Sequence, residues 1–405
     1  MQADSTGLST RRLRMGLVGP GFIAAHHIDA VRRLGDVDVV AIAASNASSA
    51  ARKAAALQVP QSYARYQDLL ADPSIDVVHN TTPNDLHYAV TMAALHAGKH
   101  VISDKPLALD AQQARELRDA ALRTRLAHVV TFNYRGNPLV QQARLMIADQ
   151  ELGSVSFVHG HYLQDWLTDP DVYSWRQDPQ RGGVSSALAD IGSHWCDLAE
   201  HVSGSRIAAV LADLATVVSV RHAPAAPTQA FASDRGAPRT RIEVTSEDLA
   251  SVLLRFEIGA RGCFRVGQVL PGHKNDLQLE VNGRSGSLQW RQERQNELWH
   301  GRHDAADALI VTDPVLLRGD ARRYARLPAG HQQGWSDAFR NIIADAYQWI
   351  RAGATAQTKP VPLPSFVDGY RCQCVIDAIL RSHSAGGMWQ AVSSDDPADG
   401  DTDPS

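Results

Sequence analysis

The stretch Arg14–His27 (RMGLVGPGFIAAHH) decides the fold. Arg14–Val18 is short and apolar, which predicts a buried strand, and the residues after it predict a tight turn and then a helix. Gly19, Gly21 and Ala24 fit the pattern G-x-G-x-x-G/A. The first glycine permits the turn, the second lets the backbone approach a pyrophosphate, and the small third residue lets the helix pack closely on the strand. The stretch therefore predicts dinucleotide binding at a helix N-terminus.

The residues that follow this turn continue an alternation of apolar strands and helices. Further strands are predicted at Val37–Ala43, Ile75–Asn80, Lys99–Ser103 and Ala127–Thr131, with helices at Ser48–Leu57, Tyr88–Ala97 and Ala111–Leu122. Strands that alternate with helices are typical of a parallel sheet with helices on both faces. For residues 14–136 we therefore predict an α/β Rossmann domain, that is, a doubly wound parallel sheet that binds a dinucleotide.

The end of the second strand bears on the choice of cofactor. NAD-specific folds usually place Asp or Glu there to bind the ribose 2′-hydroxyl group. Here the strand runs into Ala44, Ser45 and Asn46, and the cations Arg52 and Lys53 lie a helical turn or more away. Because neither a carboxylate nor an adjacent arginine is present, these residues leave the choice between NAD and NADP open.

After Asn137 the pattern changes to a series of short strands. They are predicted at Ser154–Leu163, Val210–Val220, Leu249–Phe256, Ala260–Val269, Asp276–Val281 and Gly286–Trp290, with helices at Ser186–Val202, Trp335–Ile350 and Phe366–Arg381 and a surface loop at Pro224–Arg241. Strands in series favour a large, mostly antiparallel open sheet. Residues 137–390 are therefore predicted to form an α+β domain that binds substrate. Its free sheet face is expected to make a homo-oligomer, either a dimer or a tetramer.

Lys105 is the first candidate for proton chemistry. Asp104, Lys105 and Pro106 follow a predicted parallel strand at its carboxyl end, where doubly wound sheets bind ligands. Pro106 keeps Lys105 out of helical geometry. A partly desolvated lysine can act as an acid, a base or a polarising donor. The alternative is a surface lysine that precedes a turn.

A second candidate patch is the segment Arg181–Asp197 (RGGVSSALADIGSHWCD). Asp190 and His194 are four residues apart and share one face of the predicted helix, and Asp197 lies close to the same face. An aspartate one turn from a histidine can fix its tautomer and stabilise its charged form. The alternatives are a salt-linked helix face, a core histidine, or a metal site. Because no third ligand is evident, no metal site is predicted.

Five motifs together resemble the family of glucose–fructose oxidoreductase, inositol dehydrogenase and MocA. They are GPGFIA at Gly19–Ala24, TPNDLH at Thr82–His87, DKP at Asp104–Pro106, FNYRGNP at Phe132–Pro138 and GG-x6-D-x-G-x-H-x-x-D across Gly182–Asp197. The motifs are colinear, and the resemblance runs from about Met15 to the last helix. The family usually reads E-K-P where this chain reads D-K-P, a change that keeps the charge and the lysine. The resemblance implies a two-domain NAD(P)-dependent oxidoreductase with its active site between the domains.

The resemblance also implies roles for three side chains. Lys105, Asp190 and His194 would carry the proton chemistry. His194 is expected to accept the proton, and Lys105 to polarise the reacting oxygen and relay the proton. Asp190 would orient either a substrate hydroxyl group or His194. Lys105 and His194 could exchange roles.

The predicted site residues fall into two overlapping sets. Those expected to bind the cofactor are Gly19, Gly21, Phe22, Ile23, Ser45, Asn46, Thr82, Pro83, Asn84, His87, Asp104 and Lys105. Those expected to bind the substrate are Lys105, Asn133, Tyr134, Gln164, Asp165, Trp166, Trp175, Arg176, Asp190 and His194. Carboxylate, amide and guanidinium groups beside aromatic faces suit a polyhydroxylated ring. Together with these groups, the resemblance implies hydride transfer between NAD or NADP, with NAD preferred, and a secondary hydroxyl group or ketone of a sugar, anhydrosugar or cyclic polyol.

Composition excludes several classes of protein. The 405 residues carry 40 Lys and Arg against 44 Asp and Glu, a net charge of −4, which argues against a nucleic-acid partner. The four cysteines show no disulfide or zinc pattern and are expected to be buried free thiols. With no apolar run of about 20 residues and no signal peptide, we predict a cytoplasmic protein that does not bind membranes. Residues 1–13 and 391–405 are expected to be disordered tails.

Two other functions remain open. The resemblance also covers glycosidases, which use a tightly held NAD to oxidise a sugar transiently, eliminate, and reduce again. A non-catalytic dinucleotide-binding sensor is the other alternative. Such a sensor need not keep Lys105, Asp190 and His194, and their presence therefore argues against it.

Overall fold

A computed structural model of the chain describes residues 11–224, 238–355, 358–360 and 362–393. Its N-terminal part alternates strands and helices: β1 (Leu13–Val18), α1 (Phe22–Arg32), β2 (Val37–Ala43), α2 (Ala47–Ala56), β3 (Gln61–Tyr63), α3 (Tyr66–Ala71), β4 (Val77–Asn80), α4 (Asn84–His96), β5 (His100–Ser103), α5 (Ala111–Leu122) and β6 (His128–Val130). The strand order is β3-β2-β1-β4-β5-β6, and every pairing is parallel. The predicted doubly wound sheet is confirmed. The strand order reverses between β1 and β4, which is where such sheets bind ligands.

The second part contains α6 (Pro138–Ala148), β7 (Val155–Leu163), α7 (Ser193–Ser203), β8 (Ile207–Ala215), β9 (Val220–Pro224), β10 (Arg239–Glu243), β11 (Leu249–Phe256), β12 (Arg261–Gly267), β13 (Asp276–Gly283), β14 (Gly286–Arg291), β15 (Glu297–Arg302), β16 (Ala308–Val311), α8 (Trp335–Arg351), α9 (Phe366–Ser384) and β17 (Gln390–Ala391). Nine of the strands form one sheet in the order β16-β15-β14-β13-β7-β12-β11-β8-β17. Only β7 and β12 pair in parallel within it, which confirms a mostly antiparallel sheet.

Helices α6, α7 and α9 contact one face of this large sheet. The last two long helices also return to the N-terminal part, where α8 packs on α1 and α9 packs on α5. Phe339 and Ile342 of α8 share a buried core with Met15 and Leu17 of β1. The closing helices thus tie the two halves together and hold the site between them. The domain boundary placed between residues 136 and 137 stays a prediction.

Several elements differ from the predictions, each for a local reason. The strand predicted at Val210–Val220 is two strands, because the carboxylate of Asp248 accepts the N–H groups of Val217 and Val218 and breaks the ladder between β8 and β9. The short strand β3 was missed because its three residues are polar and largely exposed at a sheet edge. Helices α3 and α6 and strands β15 and β16 were also not predicted.

Three irregular segments also need correction. The helix predicted at Ser186–Val202 begins with a π-helical turn, Leu188–Gly192, before α7. The predicted loop at Pro224–Arg241 ends in the paired strands β9 and β10, and its residues 225–237 lie outside the described part of the chain. Residues 11–13 and 391–392, assigned to the tails, are ordered in or beside strands β1 and β17. The remaining tail predictions fall on residues 1–10 and 394–405, outside the described residues.

None of the four cysteines, all of which the structure describes, forms a disulfide. Cys196, Cys372 and Cys374 are buried, but Cys263 is only half-buried, because it lies on the more exposed face of β12; the expectation of four buried thiols is corrected there. Within the described residues, no helix combines the length and the apolar character needed to cross a bilayer.

A buried histidine pair links α1, β4 and α8 and should make stability depend on pH. The Nδ1 atoms of His27 and His79 lie 2.9 Å apart, and Nε2 of His79 lies 3.0 Å from the hydroxyl of Tyr347. Burial lowers the pKa of His27 to about 4. The unfolded chain, where this pKa is about 6.5, then binds more protons between pH 4 and 6.5. The free energy of unfolding should therefore fall as the pH drops through this window.

The contribution of His27 can be isolated by urea unfolding at pH 7.5 and 5.5. In His27→Gln, we expect the loss of unfolding free energy between these pH values to be smaller than in the wild type by about 1 kcal/mol. His96→Gln, at an exposed position at the end of α4, is the matched control and should leave the loss unchanged. An equal loss in all three proteins would contradict the assignment.

Candidate active site

The glycine turn lies between β1 and α1. Gly19 has a φ of +85°, and a Cβ atom there would lie 2.6 Å from the Cα of Thr82, so a side chain would force the turn apart. A Cβ atom at Gly21 would meet nothing within 4 Å. Helix α1 begins at the exposed Phe22 and the half-buried Ile23 without a side-chain cap. The open space at this helix N-terminus fits the pyrophosphate of a dinucleotide.

Ser45 and Asn46 lie at the end of β2, and both are exposed. Oδ1 of Asn46 accepts the N–H of Ser49 at 2.9 Å and so caps α2, while Nδ2 lies 3.4 Å from Oγ of Ser45. These neutral groups are open to solvent at the edge where a ribose is expected. They neither attract nor repel a 2′-phosphate, and the choice between NAD and NADP stays undetermined by this edge.

The loop that follows β4 contacts the segment before α7. Both the N–H and the hydroxyl of Thr82 donate to Oδ1 of Asn80, at 3.3 and 2.7 Å. Pro83 precedes α4 directly, and Nδ2 of Asn84 donates to the carbonyl oxygen of Gly182 at 3.3 Å. The predicted cofactor residues Thr82, Pro83 and Asn84 therefore lie at the junction of the two halves of the molecule.

His87 joins two of the loops that carry predicted cofactor residues. Its Nδ1 lies 2.6 Å from the carbonyl oxygen of Pro106, and its Nε2 lies 2.9 Å from that of Thr82. The side chain is almost fully buried. The structure therefore places His87 behind these loops, where it holds them together, and both of its ring nitrogens are already engaged.

Lys105 from the N-terminal part of the molecule and Asp190 from the second part are in contact. Lys105 follows β5, and its Nζ donates to Oδ1 and to the backbone oxygen of Asp190 at 2.8 and 2.6 Å. These bonds use two of the three N–H groups of the ammonium. Both side chains keep a small exposed fraction, 12% for Lys105 and 15% for Asp190. The third N–H group is thus left for an oxygen of a bound molecule.

Two more donors complete the surroundings of Asp190. Nε of Arg176 donates to its Oδ1 at 3.0 Å, and Nε2 of Gln268 donates to its Oδ2 at 2.8 Å. Burial by itself would raise the pKa of Asp190, but the charges of Arg176 and Lys105 lower it far below the usual range. Asp190 is therefore an ionised acceptor for the hydrogen bonds of Lys105, Arg176 and Gln268.

Asp104 lies next to Lys105 and faces the Rossmann core. Its Oδ1 accepts the hydroxyl of Thr131 at 2.6 Å. Burial would raise the pKa of this carboxyl group, but the charge of Lys105, the hydrogen bond from Thr131 and the nearby histidines together lower it. Asp104 thus adds a second negative charge close to the lysine.

His194 is surrounded by three aromatic rings and makes no hydrogen bond to Asp190. The ring centroids of Phe132, Tyr134 and Tyr162 are 5.9, 5.1 and 6.3 Å from that of His194. Burial, reinforced by the charge of Lys105, lowers the pKa of His194 to about 3, so the imidazole is neutral. Its Nδ1 is buried without a partner among the described residues, which leaves Nε2 as the nitrogen that a substrate can reach. The expectation that Asp190 orients His194 is wrong, because the bonds of Asp190 go to other partners.

Asp197, which the helical spacing placed near the catalytic face, belongs to a buried ion cluster instead. Its carboxylate accepts Nε and NH2 of Arg135 at 3.0 and 2.5 Å. The same guanidinium donates to Oδ1 of Asp368 in α9 at 2.9 Å. This cluster ties α7 to α9 below the site and has a structural role.

A hydrogen-bonded network of amide and phenol groups lines the second half of the site. Oε1 of Gln164 accepts Nε1 of Trp166 at 3.0 Å, and Nε2 of Gln164 donates to Oδ1 of Asn275 at 3.1 Å. The hydroxyl of Tyr162 donates to the same oxygen at 2.6 Å and lies 2.7 Å from that of Tyr134. The predicted substrate residues Tyr134, Gln164 and Trp166 are therefore brought together.

The remaining predicted substrate residues have separate surroundings. Asp165 pairs with the exposed Lys274 at 2.5 Å, apart from the Asp190 cluster. The guanidinium of Arg176 stacks on Trp175 at 4.6 Å, which fixes its approach to Asp190. Asn133 is buried, and its Nδ2 has no partner among the described residues.

Gln268 and Asn275 were not found by sequence reasoning. Both lie in or beside turns at strand ends, and nothing in the local pattern separates them from ordinary turn residues. Gln268 directly follows β12, and Asn275 directly precedes β13. Their partners are distant in the chain, and only the pairing of β7 with β12 and β13 brings them to the site. No group of three or more His, Cys, Asp or Glu residues within the described chain could hold a metal ion.

This geometry defines a class of protein. A glycine turn at the switch point of a parallel sheet faces a lysine and a histidine that can polarise and deprotonate a hydroxyl group. A Rossmann-fold oxidoreductase with an open-sheet second domain has these features.

Comparison with known proteins identifies the family. Residues 13–132 match the model of the oxidoreductase family with an NAD-binding Rossmann fold, and residues 140–289 match the GFO/IDH/MocA C-terminal domain. The chain belongs to this GFO/IDH/MocA oxidoreductase family and is an NAD-binding oxidoreductase. The resemblance stated from its motifs is confirmed.

Individual relatives cover nearly the whole chain. Levoglucosan dehydrogenase of Pseudarthrobacter phenanthrenivorans is 30% identical, over 94% of this chain and 98% of its own. The structure of levoglucosan dehydrogenase in complex with NADH and levoglucosan superposes with a TM-score of 0.83 at 30% identity, covering 94% of this chain and 100% of that one. An inositol dehydrogenase homologue from Azotobacter vinelandii, complexed with NAD+, gives a TM-score of 0.82 at 27% identity, covering 96% and 100%.

Proposed function

We propose that the protein oxidises a secondary hydroxyl group of a sugar, anhydrosugar or cyclic polyol, with NAD as the acceptor. The observation that carries the proposal is the Lys105 ammonium, which Asp190 holds beside the neutral His194 with one N–H group uncommitted. The names of the relatives support the substrate class, because they include a dehydrogenase of an anhydrosugar. Their complexes with NADH support NAD over NADP.

The glycine turn would hold the pyrophosphate, and Ser45 and Asn46 would bind the ribose. When bound, the nicotinamide supplies the hydride acceptor. Thr82, Pro83 and Asn84, which lie between β4 and the first turn of α4, and the carboxylate of Asp104 would complete the cofactor site. These assignments rest on the open helix N-terminus at Gly21 and on the exposed polar groups at the end of β2.

The proton chemistry follows from the charges of three side chains. Lys105 donates its free N–H to the reacting oxygen and stabilises the negative charge that develops there. Nε2 of His194 accepts the hydroxyl proton as the carbonyl forms. Because burial keeps the imidazole of His194 neutral, Nε2 can accept this proton, which passes from the imidazole to solvent as the product leaves. Asp190 directs Lys105 towards this oxygen and takes no proton from the substrate.

The substrate network would recognise hydroxyl groups through fixed amides and aromatic faces. Tyr134, Gln164 and Trp166 form one hydrogen-bonded wall, and the stacked pair Trp175 and Arg176 lies next to Asp190. Aromatic faces beside polar groups suit the alternating apolar and polar surfaces of a sugar ring. Asn133 and Asp165 would lie further from the reacting carbon.

The proposal is tested by following reduced-cofactor absorbance with NAD or NADP against a panel of sugars, anhydrosugars and cyclic polyols. We expect turnover with at least one member of the panel and a higher kcat/KM with NAD. Cleavage of chromogenic glycosides without net reduction of cofactor would instead indicate the transient-redox glycosidase. Binding of NADH without turnover of any kind would indicate a sensor.

We further propose a homo-oligomer that forms through the open face of the nine-stranded sheet. This face exposes Phe157 of β7 and Leu253 of β11, while the helices cover the opposite face. Sedimentation velocity at micromolar concentration should show a dimer or tetramer, and a monomer would contradict the assignment. We also propose a cytoplasmic location, which the lack of a disulfide among the four described cysteines supports.

A further inference from the structure

Gln268 lies behind Asp190, fully buried at the end of β12. Its Nε2 donates to Oδ2 of Asp190 at 2.8 Å and to Oε1 of Gln164 at 3.2 Å. Its backbone N–H donates to the carbonyl oxygen of Asp248, and its own carbonyl oxygen accepts the N–H of Leu167, both at 3.0 Å. Backbone and side chain are thus both fixed by bonds to separate segments.

The neighbours of Gln268 determine which end of its amide faces Asp190. An ionised carboxylate can only accept hydrogen bonds, and Oε1 of Gln164 already accepts from the indole N–H of Trp166, which can only donate. A flipped Gln268 amide would place oxygen against oxygen at both contacts. The Nε2 orientation therefore follows from the hydrogen-bond chemistry alone, and both of its N–H groups are committed.

The two oxygens of Asp190 carry different contacts. Oδ1 receives the cations Lys105 and Arg176, and Oδ2 receives the neutral amide of Gln268. The hydrogen bond from the Gln268 side-chain amide therefore restricts rotation of the Asp190 carboxylate about its Cβ–Cγ bond. Because this amide is neutral, it adds no charge to the site. Because Lys105 is directed by Oδ1 and by the backbone oxygen of Asp190, the orientation of this carboxylate sets the direction of the remaining ammonium N–H.

We propose that Gln268 is a positioning residue, which acts through Asp190 to set the direction of Lys105 and which, being neutral, adds no negative charge beside it. Its kinetic consequence rests on the proposed function, whereas its electrostatic consequence does not. Two substitutions separate these consequences. Gln268→Met keeps the length of the side chain and removes the donor, and Gln268→Glu also adds a carboxylate beside Asp190.

The electrostatic test needs no turnover. Reductive methylation of Lys105 in the NADH-loaded protein at pH 9, followed by peptide mass spectrometry, reports how firmly the lysine holds its proton. In Gln268→Glu the added negative charge should lower the labelling rate of Lys105 about tenfold. Gln268→Met should label within about threefold of the wild type. A wild-type labelling rate in Gln268→Glu would overturn the charge part of the proposal.

The kinetic test uses the substrate found in the panel. Both variants should lose about tenfold or more in kcat, with the KM for NAD unchanged. Only Gln268→Glu should shift the acidic limb of the plot of kcat against pH to higher pH, because its added negative charge favours the protonated form of a nearby base. If Gln268→Met keeps kcat within twofold of the wild type, the proposal is overturned, whether or not Gln268→Glu folds. If no substrate is found, the proposed function fails while the labelling result still decides the electrostatic part.

Gln112→Glu supplies the matched control. Nε2 of Gln112 also donates to a carboxylate, that of Glu116, at 3.3 Å on the exposed surface of α5. The substitution therefore makes the same chemical change away from the site. In Gln112→Glu, the labelling rate of Lys105, the kcat and the pH profile should equal those of the wild type. A change as large as that in Gln268→Glu would overturn a specific role for Gln268.

Discussion

Lys105→Met is expected to lower kcat by about 10³-fold. The Lys105 ammonium lies at the carboxyl end of β5, and its remaining N–H group can donate to a reacting oxygen. Methionine keeps the approximate length of the lysine side chain but removes its charge. The fold should persist, because Asp190 keeps its bonds to Arg176 and Gln268. Steady-state kinetics with NAD and the substrate found in the panel measure the effect.

A second measurement separates a catalytic loss from a loss of cofactor binding. The affinity for NADH, measured by fluorescence titration, should stay within about threefold of the wild type, because the glycine turn lies on another strand. Lys274→Met is the matched control, since Lys274 also pairs with an aspartate but is mostly exposed. It should change kcat less than about threefold. A Lys105→Met enzyme with full kcat would remove this lysine from the mechanism.

Arg135→Met is expected to destabilise the protein by about 3–5 kcal/mol. The guanidinium is buried and holds the carboxylates of Asp197 and Asp368, with exposed fractions of 7%, 3% and 25%. Removing it leaves two carboxylates close together, one of them almost without water. Urea unfolding followed by far-UV circular dichroism gives the change in unfolding free energy.

A surface ion pair provides the comparison for this prediction. Arg12 pairs with Asp38 at 2.8 Å, and both side chains are about half exposed. Arg12→Met should therefore cost less than about 1 kcal/mol. Similar losses in the two variants would show that burial does not determine the value of the Arg135 cluster.

The first half of the fold could be predicted because its signals are local. The apolar runs that form β1, β2 and β4 are buried on both faces of a parallel sheet, so they appear in the sequence as continuous hydrophobic segments. The turn at Gly19 needs a positive φ, and glycine adopts it without strain. The polar edge strand β3 lacks such a signal and was missed.

The second half was predicted less completely, for two physical reasons. Strand β16 is the edge strand of the large sheet and β15 lies next to it, where side chains are more exposed and the apolar periodicity is weak. The π-helical turn Leu188–Gly192 looks like ordinary helix in the sequence. It changes the hydrogen-bond spacing to i→i+5 and so rotates Asp190 relative to His194. The four-residue spacing therefore did not produce the expected contact.

By itself, the sequence determined the Rossmann sheet, the dinucleotide turn and the candidacy of Lys105, Asp190 and His194. Short-range stereochemistry and apolar periodicity are written in neighbouring residues and can be read from them. Only the tertiary structure decided the partners of these side chains: Lys105 and Gln268 on Asp190, aromatic rings around His194, and Arg135 on Asp197. Each of these contacts joins segments far apart in the chain. The packing of the closing helices and the register of β7, β12 and β13 bring them within bonding distance, and neither is visible in local sequence.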